Sequence, residues 1–283
     1  MLLAALQLDV RPGALDTNLV AAEAALADAA AGGARLALLP ELWATSFPGK
    51  PEGDEGLAAD AAFALQRARA WSADHGLLVA GSYLAPGPNL GRSGPGRFFN
   101  RLVVHEAGRE VLVYDKVHLF TPTAEHEVFA AGDAPPPVVA TSLGRLSGAV
   151  CYDLRFPEVF LAMARQQAEL VLVPAQWPVR RRSHWRALVT GRAVEGQFAV
   201  LACNRGGTET IGRREDLLVF PGNSLLVDAA GEVHAEGNGE PVVVGEVDLE
   251  RGRRQRVRVP VAKDRRPGCY RAWRGSAGDV GKK

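Results

Sequence analysis

The segment from Arg145 to Leu161, RLSGAVCYDLRFPEVFL, constrains this chain more than any other. Leu146 to Val150 are apolar and small enough for a buried strand, which delivers Cys151 to its C-terminal end. Pro157 fits the first position of a helix, because the N–H it lacks has no partner at a helix start anyway. Glu158 then falls in the first turn, against the positive end of the helix dipole. Strand, turn and helix in this order are the unit of an α/β sheet, and such sheets bind ligands beyond the carboxyl ends of their strands. A lone Cys at a strand end is more often an inert buried residue than a nucleophile. Its neighbours must decide its role.

Two further apolar runs end the same way. RLALLPELW, Arg35 to Trp43, closes on Pro40 and Glu41, and EVLVYDKVHLF, Glu110 to Phe120, carries Tyr114, Asp115 and Lys116 at its end. Alone, a strand-end Glu or Lys is an ordinary solvated charge. A carboxylate, an ammonium and a thiol handed to strand ends in one chain form a complementary set. A thiol at its free pKa is mostly protonated near neutral pH, and the thiolate is the nucleophile. A carboxylate can take that proton as general base, and an ammonium favours the resulting anion.

Glu41, Lys116 and Cys151 in these motifs resemble the Glu-Lys-Cys triad of the nitrilase superfamily of carbon–nitrogen hydrolases. Glu125 in EHEVFAAGD matches the family's fourth catalytic-site residue. VPAQWP, HWRALVTGRAVEGQ, CNRGG, FPGNSLLVDAAGE and DRRPGCY extend the likeness from Leu2 to about Tyr270. CYDLRFPE followed by PAQWP and CNRGG is most similar to the omega-amidase branch. Two positions depart from the pattern: Gln167 stands where the family usually has Gly, and Gly191 interrupts a helix segment that usually reads ARA. The resemblance implies an α/β fold, a four-layer α-β-β-α sandwich with mixed sheets, spanning residues 1–283 as one domain with about 271–283 as a C-terminal tail. It also implies a homodimer or larger even-numbered homo-oligomer, pairing through helices near the Cys151 and His184 segments.

Composition restricts partners. Hydrophobic residues make up 47% of the 283 and charged ones 23%, enough for a large core. A formal charge of +1 gives no reason to expect nucleic acid or a membrane surface. Three Cys without paired spacing argue against a disulfide framework and structural zinc. No His pair has H-x-x-x-H spacing, so neither metal nor cofactor is expected. MLLAALQL lacks a basic n-region and reads as a first strand rather than a signal peptide. No run approaches a membrane span. The expected compartment is the cytoplasm.

Along the chain, Asp16 is the expected N-cap of a helix through Ala31, ended by Gly32 and Gly33, with Leu19, Ala22, Leu26 and Ala29 on one face. A second helix from about Gly56 to Trp71 offers Leu57, Phe63, Leu65 and Ala68 for burial. Strands are expected at Leu77–Tyr83, Phe99–His105, Glu110–Tyr114, Leu170–Val173, Phe198–Cys203, Asn223–Val227 and Val242–Val247, and a helix at Ser183–Gln197. PGPNLGRSGPG, Pro86 to Gly96, reads as a surface loop, and residues 121–137 as an irregular loop over the mouth.

The expected reaction is hydrolysis of a small linear amide to a carboxylate and ammonia. Glu41 acts as base, Cys151 carries a thioester, and the oxyanion is received by the Lys116 ammonium and the Tyr152 backbone N–H. The resemblance makes 2-oxoglutaramate or 2-oxosuccinamate the leading substrates, with deaminated-glutathione amidase and N-carbamoyl amine hydrolase as alternatives. A non-catalytic scaffold of the same fold would not need Glu41, Lys116, Glu125 and Cys151 together. A substrate carboxylate calls for Arg, whose planar fork grips it with two hydrogen bonds. The candidates are Arg155, the run Arg180, Arg181 and Arg182, which carries more weight, and Arg205; Trp177 and Asn204 join them as candidate substrate contacts. His118 is conceivable as a papain-like partner of Cys151 but reads as a wall residue, and His184 as a packing residue. Asp153, Arg155 and Glu158 are expected to form a local ion-pair network. Cys203 reads as core, Cys269 as part of a C-terminal loop, and Arg251 to Arg258 as a solvated face.

Overall fold

The computed structural model describes residues 1–48, 54–92, 96–211 and 216–276. In chain order the strands are β1 Leu2–Leu6, β2 Leu36–Leu38, β3 Leu78–Pro86, β4 Phe98–Glu106, β5 Arg109–Asp115, β6 Val139–Thr141 and β7 Gly144–Gly148, then β8 Leu170–Ala175, β9 Ala199–Asn204, β10 Gly206–Ile211, β11 Asp216–Pro221, β12 Leu225–Val227, β13 Val233–Glu236 and β14 Val242–Glu246. The helices are α1 Leu15–Ala31, α2 Asp54–Asp74, α3 Pro157–Arg165, α4 Arg182–Gly196, α5 Leu249–Arg258, α6 Val261–Asp264 and α7 Pro267–Ser276.

Two six-stranded sheets form, in the orders β14-β1-β2-β3-β4-β5 and β13-β12-β9-β8-β7-β6. Each has a parallel centre, β1-β2-β3 in one and β7-β8-β9 in the other, flanked by antiparallel strands. The sheets are therefore mixed. Leu3, Leu36, Leu38, Leu78 and Leu102 of the first meet Leu146, Leu170, Leu172 and Leu201 of the second in a buried core. Helices α1 and α2 cover the outer face of the first sheet with Ala22, Leu26, Ala29, Ala64, Ala68 and Trp71. Helices α3 and α4 cover the second with Phe160, Met163, Trp185, Val189 and Ala193. The order helix, sheet, sheet, helix is the four-layer α-β-β-α sandwich.

Close approach of the sheets has one sharp requirement. A Cβ at Gly148, the last residue of β7, would lie 2.4 Å from Leu102 Cδ2 on the facing sheet. Any larger residue there, three before Cys151, would push the buried Leu102 side chain aside.

Some local expectations are corrected. Ala14, not Asp16, caps α1, and Asp16 falls in its first turn. Phe63 points outward at 48% exposure, and α2 instead packs through Ala61, Ala64, Ala68 and Trp71. Residues 121–137 contain two 3-10 turns, Thr121–Thr123 and Glu125–Glu127. Part of the 86–96 loop lies outside the described residues. Cys269 sits in helix α7 rather than in a loop. The basic run 251–258 is helix α5, whose arginines pair with Asp228, Glu169 and Asp248. Among the described residues, no helix is long and apolar enough to cross a membrane.

Candidate active site

Because β2, β5, β7 and β8 run in the same sense within their sheets, each delivers the residues beyond its last pair to one edge. Lys116 comes directly after β5, and Glu41 and Cys151 three residues past the last pairs of β2 and β7. Glu41 follows β2, Lys116 follows β5, and Cys151 follows β7. Cys151 opens a 3-10 turn, Cys151–Arg155, with φ +45, a left-handed conformation that L side chains adopt at some cost. The chain turns sharply there, and α3 begins at Pro157.

Asp153 staples this turn to the lysine loop. Its buried carboxylate accepts from Val150 N at 3.1 Å and Tyr114 Oη at 2.9 Å, and from the backbone N–H of His118 at 3.0 Å. His118 Nδ1 lies 2.8 Å from the same carboxylate, and its ring stacks on Phe156. The expected Asp153–Arg155–Glu158 network is thus replaced: Asp153 is a buried acceptor, and Arg155 instead meets His184 Nδ1 at 3.2 Å. His118 serves Asp153 rather than the thiol.

The reactive groups share one water-poor cluster. Lys116 Nζ donates to Glu41 Oε1 at 2.9 Å and to both oxygens of Glu125, at 3.0 and 2.9 Å. Phe120 N donates to Glu125 Oε2 at 2.9 Å. Glu41 Oε1 also accepts from Asn100 Nδ2 at 2.8 Å, and Oε2 from Gln176 N at 2.9 Å. Three of the roughly four acceptor positions of that carboxylate are taken, which leaves one on Oε2 for a proton in transit. The Cys151 thiol donates a long contact to the Gln176 carbonyl, 4.0 Å away. The backbone N–H of Tyr152 lies at the start of the 3-10 turn, where the turn itself supplies no acceptor.

Burial works against the charge on Lys116, but Glu125 and Glu41 outweigh it and hold its pKa well above the ordinary lysine value. Burial pushes the Glu125 carboxyl up, with Lys116 opposing and Glu41 adding to the rise. Lys116 favours the Cys151 thiolate, as expected, but it is opposed. Burial, and then the negative charge of Glu41, push the thiol well above the ordinary value, and the Lys116 charge does not overcome them. This environment favours the protonated thiol over the thiolate.

Cys151 lies in a cavity of about 40 Å³, counted as space open to the centre of a water molecule. Glu125, Tyr152, Gln176 and Trp177 line it together with Phe47, Phe120, Arg155 and Arg181; Ile211, Leu218 and Phe220 close it from the β10–β11 hairpin. Of the arginine run only Arg181 reaches this lining; Arg180 and Arg182 do not, because the turn Val179–Arg181 points them away as it enters α4. Arg155 lies over the Trp177 ring and Arg181 over Phe120, at 4.9 and 5.3 Å from the ring centroids. Asn204 is buried and spent on positioning: it accepts from Trp177 N and donates to the carbonyls of Trp177 and Gly222. Arg205 is fully buried behind the wall.

Sequence reasoning missed Gln176, Asn100 and the β10–β11 hairpin. Gln176 follows β8 at the same edge as Cys151, the one signal that could have placed it. Asp228, Glu232 and His234 bring candidate metal-ligand atoms within 4.8 Å of one another. Arg251 already pairs with two of them, at 2.9 Å from Asp228 and 2.6 Å from Glu232, so the group is an ion-pair cluster.

The sequence pattern of the carbon-nitrogen hydrolase family matches residues 2–257. The 2-oxoglutaramate amidase of Bacillus subtilis (strain 168) is 31% identical over 94% of this chain and 97% of its own length. The omega-amidase YafV of Yersinia enterocolitica is 35% identical over 64% of each chain. The fold matches an amidase of the nitrilase superfamily from Nesterenkonia sp. AN1 with a TM-score of 0.79 and 31% identity, covering 96% of this chain and 97% of that one. A variant of that amidase has been solved with acrylamide added to its active-site cysteine. With its pattern matched across most of its length and its fold shared with these amidases, the chain belongs to the carbon-nitrogen hydrolase family.

Proposed function

We propose that this protein is an omega-amidase, which hydrolyses the side-chain amide of a short α-keto acid such as 2-oxoglutaramate or 2-oxosuccinamate. The observation that carries the reading is the pairing of Cys151 with two half-buried guanidiniums, Arg155 and Arg181, in a cavity of about 40 Å³. Among the described residues neither arginine has a carboxylate partner, and the one carboxylate in the lining, Glu125, is committed to Lys116. A substrate with an amide at one end and a carboxylate at the other fits this division. Holding both ends converts binding into an attack geometry. A cavity this small favours a short acid over a peptide-sized amide.

In the reaction, the free position on Glu41 Oε2 takes the Cys151 proton as sulfur attacks the amide carbon. Lys116 and the Tyr152 N–H receive the developing oxyanion; a donor of this kind is typically worth about 2.7–4 kcal/mol to a transition state. Glu41 returns its proton to the departing nitrogen, releasing ammonia and leaving a thioester. Water then attacks, Glu41 again takes the proton, and the acid leaves as the thiol re-forms. Glu125 holds Lys116 by both oxygens and keeps it charged.

From the family resemblance we also read residues 1–283 as one hydrolase domain with a tail from about 271, acting as a homodimer or larger even-numbered assembly, and from the absence of a signal-peptide pattern we read its compartment as the cytoplasm. A single monomeric mass by sedimentation would refute the assembly. Ammonia release from a panel of amides tests the activity. We expect 2-oxoglutaramate and 2-oxosuccinamate to lead the panel, ahead of deaminated glutathione and N-carbamoyl amines. Neutral aliphatic amides turning over as well as 2-oxoglutaramate would exclude carboxylate anchoring and leave a general amidase.

A further inference from the structure

Behind the cavity wall lies a buried charge that the reaction above does not use. The Arg205 guanidinium is 0% exposed. Its Nη1 donates to Gln176 Oε1 at 3.0 Å, to Glu209 of β10, and to Ser46 Oγ at 3.4 Å. Its Nη2 donates to the Val10 carbonyl, and Asp9 lies 3.8 Å away. The guanidinium also lies over the Phe220 ring, 4.7 Å from its centroid. Taking a guanidinium out of water is costly, and such a group stays only where its partners are fixed.

Gln176 is the side chain that joins Arg205 to the reacting groups. Its Nε2 donates to the Glu41 carbonyl at 2.9 Å, while its backbone N–H holds Glu41 Oε2 and its carbonyl receives the Cys151 thiol. A carboxamide has a donor end and an acceptor end, which can exchange by a flip. A guanidinium has only donors. Facing Arg205, Gln176 must present Oε1, and its NH2 must therefore face the Glu41 carbonyl. Reversed, two carbonyl oxygens would face each other beside the base.

We propose that Arg205 is a positioning residue for amide hydrolysis: by donating to Oε1 of Gln176 it fixes the polarity of that amide, and through it the seat of the Glu41 base beside the Cys151 thiol. Glu209 holds Arg205 in place, and Phe220 seats the hairpin wall of the cavity on the same guanidinium. The inference rests on Glu41 and Cys151 acting as base and nucleophile, and not on which amide is the substrate.

The test is a double-mutant cycle on Arg205→Met and Gln176→Leu, with Arg205→Lys as a second entrance if the methionine variant does not fold. Two readouts are taken on folded protein: kcat with the best amide of the panel, and the rate of Cys151 alkylation by iodoacetamide, which needs thiol deprotonation but no amide substrate. Arg205→Met is expected to lower kcat about tenfold, with a smaller change in KM, and to slow alkylation in parallel. In the Gln176→Leu background the arginine change should cost nothing further. Arg205→Lys, which keeps a charge opposite Glu209 but loses the fork, should follow the same non-additive pattern. Losses that add in full across the cycle, or a folded Arg205 variant with normal kcat and alkylation, would overturn the proposal. If no amide turns over while alkylation still shows the coupling, the substrate reading fails and the positioning role stands.

Discussion

Beneath the cavity, the floor cluster of Glu41, Lys116 and Glu125 is no more than 4% exposed, and each of its charged atoms has a partner within 3.0 Å; of the three only Glu125 reaches the lining. On its rim, Arg155 and Arg181 are half-buried and lean on aromatic rings. Glu41 and Lys116 follow paired strands, whose register fixes them, and Glu125 is held from its 3-10 turn by Lys116 and the Phe120 N–H. The rim comes from short turns and from the β10–β11 hairpin, which belongs to neither large sheet. The difference teaches a division of labour. In the reaction proposed above, the groups that move protons are held without slack, and the groups that select the substrate are left room to close on it.

The largest effect should come from the floor. Cys151→Ala is expected to abolish turnover, since no other thiol lines the cavity, while the protein keeps its fold by circular dichroism. Most of the activity surviving in the purified variant would end the thiol mechanism. Glu125→Gln comes next. We expect kcat to fall on the order of 10²–10³-fold, the range for losing an electrostatic contribution at the reacting centre. The sign of a second effect follows from the charges. Glu125 is one of the groups raising the Cys151 pKa, so removing its negative charge lowers that pKa. The pH profile of iodoacetamide alkylation should therefore shift toward lower pH in the variant. A shift toward higher pH would break the account of the floor.

That account was largely legible in the sequence, because an apolar run ending in a charge or a thiol announces both the strand and what its end carries. Glu41, Lys116 and Cys151 could be read that way. Gln176 and Asn100 could not, since a neutral amide gives no contrast against its surroundings, although each donates a hydrogen bond to the Glu41 carboxylate. The rim was read least well. In DLLVFP, the run of Leu217, Leu218, Val219 and Phe220 is apolar throughout, so it hides an alternation in which Leu218 and Phe220 face the cavity and Leu217 and Val219 face water. Arg180 to Arg182 looked equivalent in sequence, and only the geometry of one turn separates Arg181 from its neighbours.

A smaller effect is expected at the rim. Arg181→Gln and Arg155→Gln should each lower kcat/KM for 2-oxoglutaramate by about 10- to 150-fold, mostly through KM, as suits the loss of a charge-assisted hydrogen bond of about 1.5–3 kcal/mol. Neutral amides should be nearly indifferent to both. Equal losses on charged and neutral substrates would erase the distinction between rim and floor.

The smallest effects belong to neither region, and concern the two places where the chain departs from its family's pattern. Gln167 has φ +61, a conformation that costs a side-chain-bearing residue about 1–2 kcal/mol. Its contacts there, to Ala164 O at 3.4 Å and Arg256 at 3.5 Å, are long. Gln167→Gly removes the strain but returns about 0.4–1 kcal/mol of freedom to the unfolded chain, so a small net gain is expected. Gly191 is the reverse case: it is exposed within α4, and a Cβ there would meet nothing within 4 Å. Gly191→Ala should therefore stabilise the helix by about 0.5–1 kcal/mol. Thermal unfolding measures both changes, and kcat and KM should be untouched by either. The alanine variant also probes the surface of α4. If it is less stable than the parent, and the loss depends on protein concentration, a second copy packs against that face and the added methyl is in its way.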